Sequence, residues 1–355
     1  MRFFNTSAAV LALALSNSCS ALKATILADT NRDGKVDVKG DTDIKGKAEW
    51  TSERGALILA NIGDTDRRCS KKLPDNDSAS EVNEAFLDKC NDATGNVQRN
   101  AKYLAPLRTL PIAKLSYSAK GSIHVTDDAA AENIRVFVKE GNDWTYVAAN
   151  HTFTAQELQD GLELGVDARD VRRPTWDGKA QVHFTVQDGA QKAEDSVALR
   201  VAPVMTHHHL QLAERVFSTD SDYTGAQTTF VSDLKENVAA AGIDEPVFLF
   251  SNGDIWIQDF FEPGYTSIPG PDGPIVLRVM IRSAQAGRFS GRDIFRQLRN
   301  DKVGAVQHPG DGDTLDSAGN LETVPPYTLN GKSYPAGRII QGQWDGRKPL
   351  IHEFL

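Results

Sequence analysis

The sequence has little of three things: long apolar runs, excess positive charge and cysteine. Beyond its N-terminal segment, no stretch reaches the roughly 18 consecutive apolar residues of a membrane span, so we expect no membrane partner. The formal net charge of -9 disfavours a nucleic-acid partner and suits cationic ligands. A composition of 40% hydrophobic and 25% charged residues is that of a soluble globular protein.

The first 21 residues have the parts of a secretory signal peptide. Arg2 supplies a short positive region, Ala8–Leu15 form an apolar core, and small residues follow up to Ala21. We therefore expect cleavage near Ala21 and a secreted, extracellular protein.

The scarcity of cysteine leaves one candidate pair. Of the three cysteines, Cys19 lies in the predicted signal peptide, so that Cys69 and Cys90 remain. In an oxidising compartment an even pair predicts a disulfide, and two free structural thiols are the alternative.

Residues 22–202 show the alternation of short β-strands separated by turn signals. The predicted strands are Ala56–Ala60, Ile112–Tyr117, Ile134–Val138, Val182–Val186 and Val197–Val201. Strands of this kind favour an immunoglobulin-like β-sandwich. The composition changes after Pro203, where we place a domain boundary.

Residues 203–355 mix strands and helices, so the whole chain is predicted to be an α+β multidomain protein. Phe230, Leu234 and Val238 recur at helical spacing, and Gly242 stands where a helix C-cap is expected. The predicted strands of this region are Leu210–Phe217, Pro246–Phe250, Ile275–Ile281 and Val303–Gln307.

An acidic loop near the start of the mature chain predicts calcium binding. Asp29, Asn31, Asp33 and Asp37 supply oxygen ligands at alternating positions, and Gly34 allows the turn. The spacing departs from that of an EF-hand, in which the last ligand is a Glu at position 12. A solvated acidic turn is the alternative.

A second acidic cluster begins with Asn61, Asp64 and Asp66 and continues to Asp92. Such a density of carboxylates requires either solvent or bound cations. Calcium binding and a solvated loop both remain open for it.

The segment Ser251–Tyr265 has the residues of a cation site. The carboxylate of Asp259 can accept a fork of hydrogen bonds from a guanidinium, and Trp256 can cover the face of a cation. Gln258 and Glu262 are four residues apart and can ligate one metal. The alternative is a turn with a buried tryptophan and a helix-capping aspartate.

These segments, in this order, resemble the protein-arginine deiminase family. Further stretches carry the resemblance, which extends over nearly all of residues 24–350: Asn31–Gly34, Gly55–Asn61, Val201–Thr206, Ser317–Glu322 and Asn330–Ile340. The resemblance implies a calcium-binding middle domain followed by the first part of a catalytic domain, which in this family is a pentein-type α/β-propeller. Residues 203–355 can build only part of such a propeller.

The resemblance also implies roles for individual residues. Asp259 is similar to one of two aspartates that grip the substrate guanidinium, and Trp256 to the wall beside it. Arg288 is the candidate for the substrate-positioning arginine. A calcium site that shapes the cleft is implied for Gln258, Glu262 and Glu322 with the carbonyls of Ala318 and Leu321. The reaction implied is hydrolysis of peptidyl-arginine to peptidyl-citrulline and ammonia, by a cysteine thiolate with a histidine as general acid and base.

The sequence departs from the family at positions that matter for this reaction. Phe260 stands where the vertebrate enzymes have an acidic residue, and Arg282–Gln285 replaces their Asp-Ser-Pro-Arg. No cysteine follows Cys90, and neither His308 nor His352 lies in a Gly-His-x-Asp motif.

The primary hypothesis is a secreted, calcium-dependent member of the protein-arginine deiminase family, truncated before its catalytic histidine, aspartate and cysteine. We expect no citrulline formation by this exact chain. The alternative is a non-catalytic, secreted, calcium-binding protein that recognises arginine side chains. Its partners would be arginine-containing proteins in either case.

Overall fold

A computed structural model describes the ranges 21–72, 89–173, 175–207, 210–219, 227–244, 246–249, 256–282, 297–306, 319, 321–335 and 337–341. Residues 1–20 of the predicted signal peptide therefore lie outside the described residues. Within these ranges no helix is long and apolar enough to cross a membrane.

Ten strands form two five-stranded sheets in the first part of the chain. They are β1 (Ile26–Ala28), β2 (Ala56–Ile58), β3 (Ala105–Thr109), β4 (Lys120–Thr126), β5 (Ile134–Glu140), β6 (Asp143–Tyr146), β7 (Phe153–Thr154), β8 (Glu163–Ala168), β9 (Lys179–Asp188) and β10 (Gln191–Val201). The strand orders are β1-β3-β8-β5-β6 and β2-β10-β9-β4-β7. All neighbours are antiparallel except β2 and β10, which are parallel.

The strands form because apolar side chains alternate along them. In β9, Ala180, Val182, Phe184 and Val186 are buried, while the residues between them are only partly buried. Buried residues of both sheets belong to one continuous core. Two short helices, α1 (Asp128–Asn133) and α2 (Ala155–Asp160), close the ends of strands, and Thr154 and Glu157 form a capping box at the start of α2.

The second part of the chain contains a four-stranded sheet, a helix and three strand pairs. Its elements are β11 (Met205–Thr206), β12 (Phe217–Thr219), α3 (Gln227–Ala240), β13 (Val247–Leu249), β14 (Phe261–Ile268), β15 (Ile275–Arg282), β16 (Val303–Val306), β17 (Leu321–Val324), β18 (Tyr327–Leu329), β19 (Lys332–Tyr334) and β20 (Arg338–Gln341). The four-stranded sheet has the order β11-β14-β15-β16, and β12–β13, β17–β20 and β18–β19 are pairs. The described chain is therefore mostly β with few helices.

The two parts of the chain pack directly on each other. Leu277, Val279 and Ile281 of β15 belong to the same buried core as the first two sheets. Gly304 of β16 lies so close to Ile62 that a Cβ there would come within 2.7 Å of the Ile62 side chain. The four-stranded sheet is thus supported by the first part of the chain.

Most of the predicted elements are confirmed. The strands predicted from residues 56, 134, 182, 197, 246, 275 and 303 are present, and α3 covers the predicted helical stripe. Gly242 has a φ of 70°, and the amide of Ile243 donates to the Val238 carbonyl, as in a Schellman cap.

Two predicted strands are wrong. Residues 112–117 form turns, because Lys114 adopts a left-handed φ of 63° that no strand accommodates. Residues 210–216 are also irregular, and Leu210 and Leu212 are 76% and 96% exposed. Apolar side chains with no face to pack against do not define a strand.

Candidate substrate and metal site

Asp259 lies on a single 3-10 turn, Ile257–Asp259, that immediately follows Trp256. The amide of Asp259 donates to the Trp256 carbonyl at 3.0 Å, which holds the two residues on one turn. Trp256 is 64% exposed and Asp259 is half-buried. The turn therefore holds an exposed indole beside a half-buried aspartate, and the alternative of a buried tryptophan does not apply.

The turn is anchored by the two residues that follow it. Phe260 is completely buried and Phe261 is 7% exposed. Phe261 packs edge-to-face on Phe217 of β12, with 5.2 Å between the ring centroids. Because these rings are fixed in a small apolar cluster, Trp256 and Asp259 are held at the start of β14. The burial of Phe260 also explains how this chain tolerates an apolar residue there.

Glu262 on β14 and Glu322 on β17 lie close enough for their charges to interact. Burial, followed by the charge of Glu322, raises the pKa of Glu262 to about 8. A cation beside the two carboxylates would offset both the burial of Glu262 and its repulsion by Glu322, so this pair fits a hard divalent ion. Gln258 is exposed one turn away.

Several predicted ligands of this site cannot be placed around it. Ala318 and Arg288 lie outside the described residues. Leu321 is the first residue of β17, next to Glu322, and its partner in the strand pair is Gln341. Among the described residues, no three His, Cys, Asp or Glu side chains are grouped as the ligands of one metal.

In the first acidic loop Asp29 is buried, Asp37 is partly buried and Asp33 is exposed. Asp29 accepts hydrogen bonds from the amides of Asp33 at 3.0 Å and Gly34 at 2.8 Å. Burial raises the pKa of Asp29; these two amides oppose the shift, and the charges of Asp33 and Asp43 add to it. The side chain of Asn31 donates to Asp33 at 3.0 Å. The loop therefore gathers negative charge but satisfies much of it with its own amides.

Asp43, which the sequence pattern did not single out, organises this loop. Asp43 is completely buried and accepts from the amide and the hydroxyl of Thr30, both at 2.8 Å. Its second oxygen accepts from the Asp37 amide at 2.7 Å. The signal available in the sequence was the acidic pair Asp41 and Asp43, which lies beyond the nine residues Asp29–Asp37 of the predicted loop.

The residues of the second acidic cluster do not converge on one point, because Asn61 and Asp64 are each hydrogen-bonded to other groups of the protein. Asn61 donates to Asp167 at 2.9 Å, and its Oδ1 is buried without a hydrogen-bond partner among the described residues. Asp64 is completely buried and accepts from the Cys69 and Ser70 amides, whereas Asp66 is exposed. The Asn61 oxygen without a partner fits a cation, but Asn61 and Asp64 are bonded to different neighbours and Asp66 is exposed.

The two cysteines of the predicted disulfide are buried neighbours, but both are free in the structure. The Cys90 side chain is hydrogen-bonded to that of Cys69. The disulfide therefore stays a prediction, although the fold brings together the two residues that it requires.

Comparison with known proteins identifies the second part of the chain. Residues 191–353 match the model of the family described as protein-arginine deiminase. Protein-arginine deiminase type-3 of Rattus norvegicus is 35% identical over 153 residues, and the human type-4 enzyme is 30% identical over 157 residues. Each of these matches covers 42% of this chain and 22% of the relative.

The matched segment contains the whole Trp256–Glu262 turn and Glu322. The resemblance drawn for residues 24–190 lies outside the family model and stays a prediction. Residues 191–353 therefore carry the match to the protein-arginine deiminase family, and this chain spans less than a quarter of the length of these relatives.

Proposed function

We propose that this chain is a calcium-dependent, secreted protein-arginine deiminase family member whose 256–262 turn binds the side chain of a peptidyl-arginine. The family reaction is hydrolysis of peptidyl-arginine to peptidyl-citrulline and ammonia. One observation carries the proposal: an exposed Trp256 and the Asp259 carboxylate share a turn that buried phenylalanines anchor, inside the family segment.

The geometry of the turn supports guanidinium recognition. The two oxygens of Asp259 can accept parallel hydrogen bonds from a guanidinium, which presents its donors in a planar fork. The exposed indole of Trp256 offers an apolar face for the aliphatic stem or the cation itself. Because the turn is anchored from beneath, little of its conformational freedom is lost on binding.

Calcium is proposed as the cofactor, with Gln258, Glu262, Glu322 and the carbonyls of Ala318 and Leu321 as the ligands next to this turn. When bound, the ion would supply positive charge that keeps both carboxylates ionised. The raised pKa of Glu262 supports this assignment. Further calcium sites are proposed at the loop of Asp29, Asn31, Asp33 and Asp37 and at Asn61, Asp64 and Asp66.

The reaction itself requires groups that these 355 residues do not provide in the family pattern. The sequence contains no cysteine after Cys90 and no Gly-His-x-Asp motif. We therefore propose that the chain of this sequence binds arginine but does not form citrulline. The corresponding fold proposal is an immunoglobulin-like sandwich over residues 22–202, followed by the first part of a pentein-type propeller.

Peptide binding tests this function. A labelled peptide with one central arginine should bind in the presence of calcium, and peptides with citrulline or lysine at that position should bind at least tenfold more weakly. Asp259→Asn should abolish the preference for arginine. Asp272→Asn, on the exposed turn after β14, is the matched control and should leave it unchanged. Equal binding of all three peptides would exclude the proposal.

A second candidate function is that of a non-catalytic, secreted, calcium-binding protein that recognises arginine. It is supported by the Trp256–Asp259 turn, which can recognise an arginine side chain without a catalytic nucleophile. Mass spectrometry of the arginine peptide after long incubation with calcium tests the absence of turnover that both candidates share. Conversion of arginine to citrulline would contradict it and exclude the second candidate.

A further inference from the structure

Cys69 and Cys90 form a buried thiol pair to which the proposed function gives no role. They are 8% and 1% exposed, and their side chains are hydrogen-bonded to each other. Twenty residues lie between them in the sequence. Burial, with the Cys69 side chain adding to it, raises the pKa of the Cys90 thiol. Two thiols that are hydrogen-bonded to each other and twenty residues apart in the sequence are positioned to close a loop as a disulfide.

The pair lies against the contact between the two parts of the chain. We call this contact the joint; residues 61–69 and 89–92 form one side of it, and residues 299–304 form the other. The Cys69 amide donates to a carboxylate oxygen of Asp64 at 3.1 Å, and the amide of Asp64 donates to the Asn300 carbonyl at 2.8 Å. On the other side, Nη2 of Arg68 donates to the Cys90 carbonyl at 2.8 Å. Cys69 is therefore linked to Asn300 through Asp64, and Cys90 is linked to Arg68, the residue before Cys69.

The second part of the chain reaches into the same place through Arg299. This residue is 2% exposed, and its Nη2 donates to the Ile62 carbonyl at 3.2 Å and to the side chain of Asn91. Asn91 directly follows Cys90 in the sequence. Close by, the Tyr103 hydroxyl donates to the Asp301 carbonyl at 2.7 Å.

The joint supports the sheet that presents the candidate site. Residues 299–301 lead into β16, which is the edge strand of the order β11-β14-β15-β16. The candidate turn enters β14, two strands away in this sheet. Any constraint on residues 61–69 and 89–92 is therefore a constraint on the support of this sheet.

We propose that Cys69 and Cys90 are a redox-responsive pair whose disulfide locks the joint that residues 61–69 and 89–92 form with residues 299–304. The oxidant is a low-molecular-weight disulfide of the glutathione class. Cys69, the more exposed thiol, with Nη1 of Arg68 donating to its sulfur at 3.5 Å, makes the first attack.

The exchange balances in two steps. The Cys69 thiolate attacks one sulfur of the small disulfide, whose S–S bond breaks, and the leaving thiolate takes up the proton that Cys69 lost. The Cys90 thiolate then attacks the Cys69 sulfur of the mixed disulfide, and the second small thiol leaves with the Cys90 proton. Two protein thiols are oxidised by two electrons, and one small disulfide is reduced to two thiols.

Intact-mass analysis of the whole chain, equilibrated with glutathione disulfide or with excess reduced glutathione, tests the chemistry. We expect the oxidised form to lose two hydrogen atoms and to resist alkylation after denaturation. We expect its midpoint of thermal unfolding to lie above that of the reduced form by on the order of 5 °C. Two thiols that stay alkylatable in glutathione disulfide would overturn the proposal.

Hydrogen exchange tests the link to the joint. Amides of residues 61–65 and 300–306 should exchange about tenfold faster in the reduced form, whereas those of β9 should not change. The double variant Cys69→Ser, Cys90→Ser should behave as the reduced form under both conditions, and this controls for direct effects of glutathione. A disulfide that forms without any change in exchange at residues 300–306 would show that it does not act on the joint. Since neither readout uses an arginine ligand, the outcome is independent of the proposed function.

Discussion

Glu262 on β14 and Glu322 on β17 are interacting carboxyl groups beside the candidate substrate turn, although sixty positions separate them in the sequence. Burial and the charge of Glu322 raise the pKa of Glu262 to about 8. At neutral pH Glu262 therefore keeps its proton unless a cation compensates its charge.

This pair predicts that stability without calcium falls as the pH rises. Glu262 releases its proton at about pH 8 in the folded chain, but at about pH 4.5 when unperturbed. Between these values the folded state binds more protons than the unfolded state, so the contribution of Glu262 to stability is full below about pH 4.5 and is lost towards pH 8.

Urea unfolding in a chelator at pH 5 and pH 8 measures this effect. Glu262→Gln should remove the fall of the unfolding free energy between pH 5 and pH 8. It should stabilise the chain at pH 8 by on the order of 2 kcal/mol, a value reduced because Glu262 is partly exposed. Glu236→Gln on the exposed side of α3 is the control and should follow the wild-type curve. Parallel curves for Glu262→Gln and the wild type would contradict the prediction.

Calcium binding near Glu262 should release a proton. If calcium binds the ionised carboxylate, binding at pH 7 should displace close to one proton, because the pKa of the free group is about 8. Calorimetric titrations in two buffers of different ionisation enthalpy measure the proton number. Glu262→Gln should lose the proton release and weaken binding; an unchanged proton number in this variant would place the ion elsewhere.

Trp256 should matter for arginine binding but not for folding. Its side chain is 64% exposed, so Trp256→Ala should change the free energy of unfolding by no more than about 0.5 kcal/mol. Loss of the aromatic face should weaken binding of an arginine peptide by about fivefold to thirtyfold. Trp256→Phe, which keeps an aromatic ring, should retain part of the binding affinity that Trp256→Ala loses. Fluorescence anisotropy measures the binding, and a large loss of stability in Trp256→Ala would show a structural role instead.

The buried ion pair of Arg135 and Asp167 should be a major determinant of stability. Both side chains are completely inaccessible, and their two contacts measure 2.6 and 2.9 Å. Arg135→Met would leave the buried Asp167 charge without its partner and should cost about 3–5 kcal/mol.

An exposed ion pair provides the comparison. Lys179 and Asp177 are more than half exposed, so Lys179→Met should cost less than about 1 kcal/mol. Chemical denaturation of both variants measures the difference. If both variants lost the same free energy of unfolding, burial would not determine how much the Arg135–Asp167 pair stabilises the chain.

Local sequence patterns were sufficient for the elements whose signal is contained in a short window. The alternation over Val182–Val186 predicted β9, and Gly242 predicted the end of α3, because a pleated strand and a left-handed cap each depend on a few neighbouring residues. The same reasoning failed for Ile112–Tyr117, where apolar residues occur without a strand. There the left-handed Lys114 backbone and the packing of Ile112 decide the conformation.

The sequence by itself determined the β-rich character of residues 22–202, the family match of residues 191–353 and the closeness of Trp256 to Asp259, since each depends on residues close together in the chain. The tertiary structure alone decided that Glu262 meets Glu322, that Asp43 is at the centre of the first acidic loop, and that Arg299 reaches the carbonyl of Ile62. The physical reason is that burial and charge interaction depend on distance in space, which the fold sets for residues far apart in the sequence.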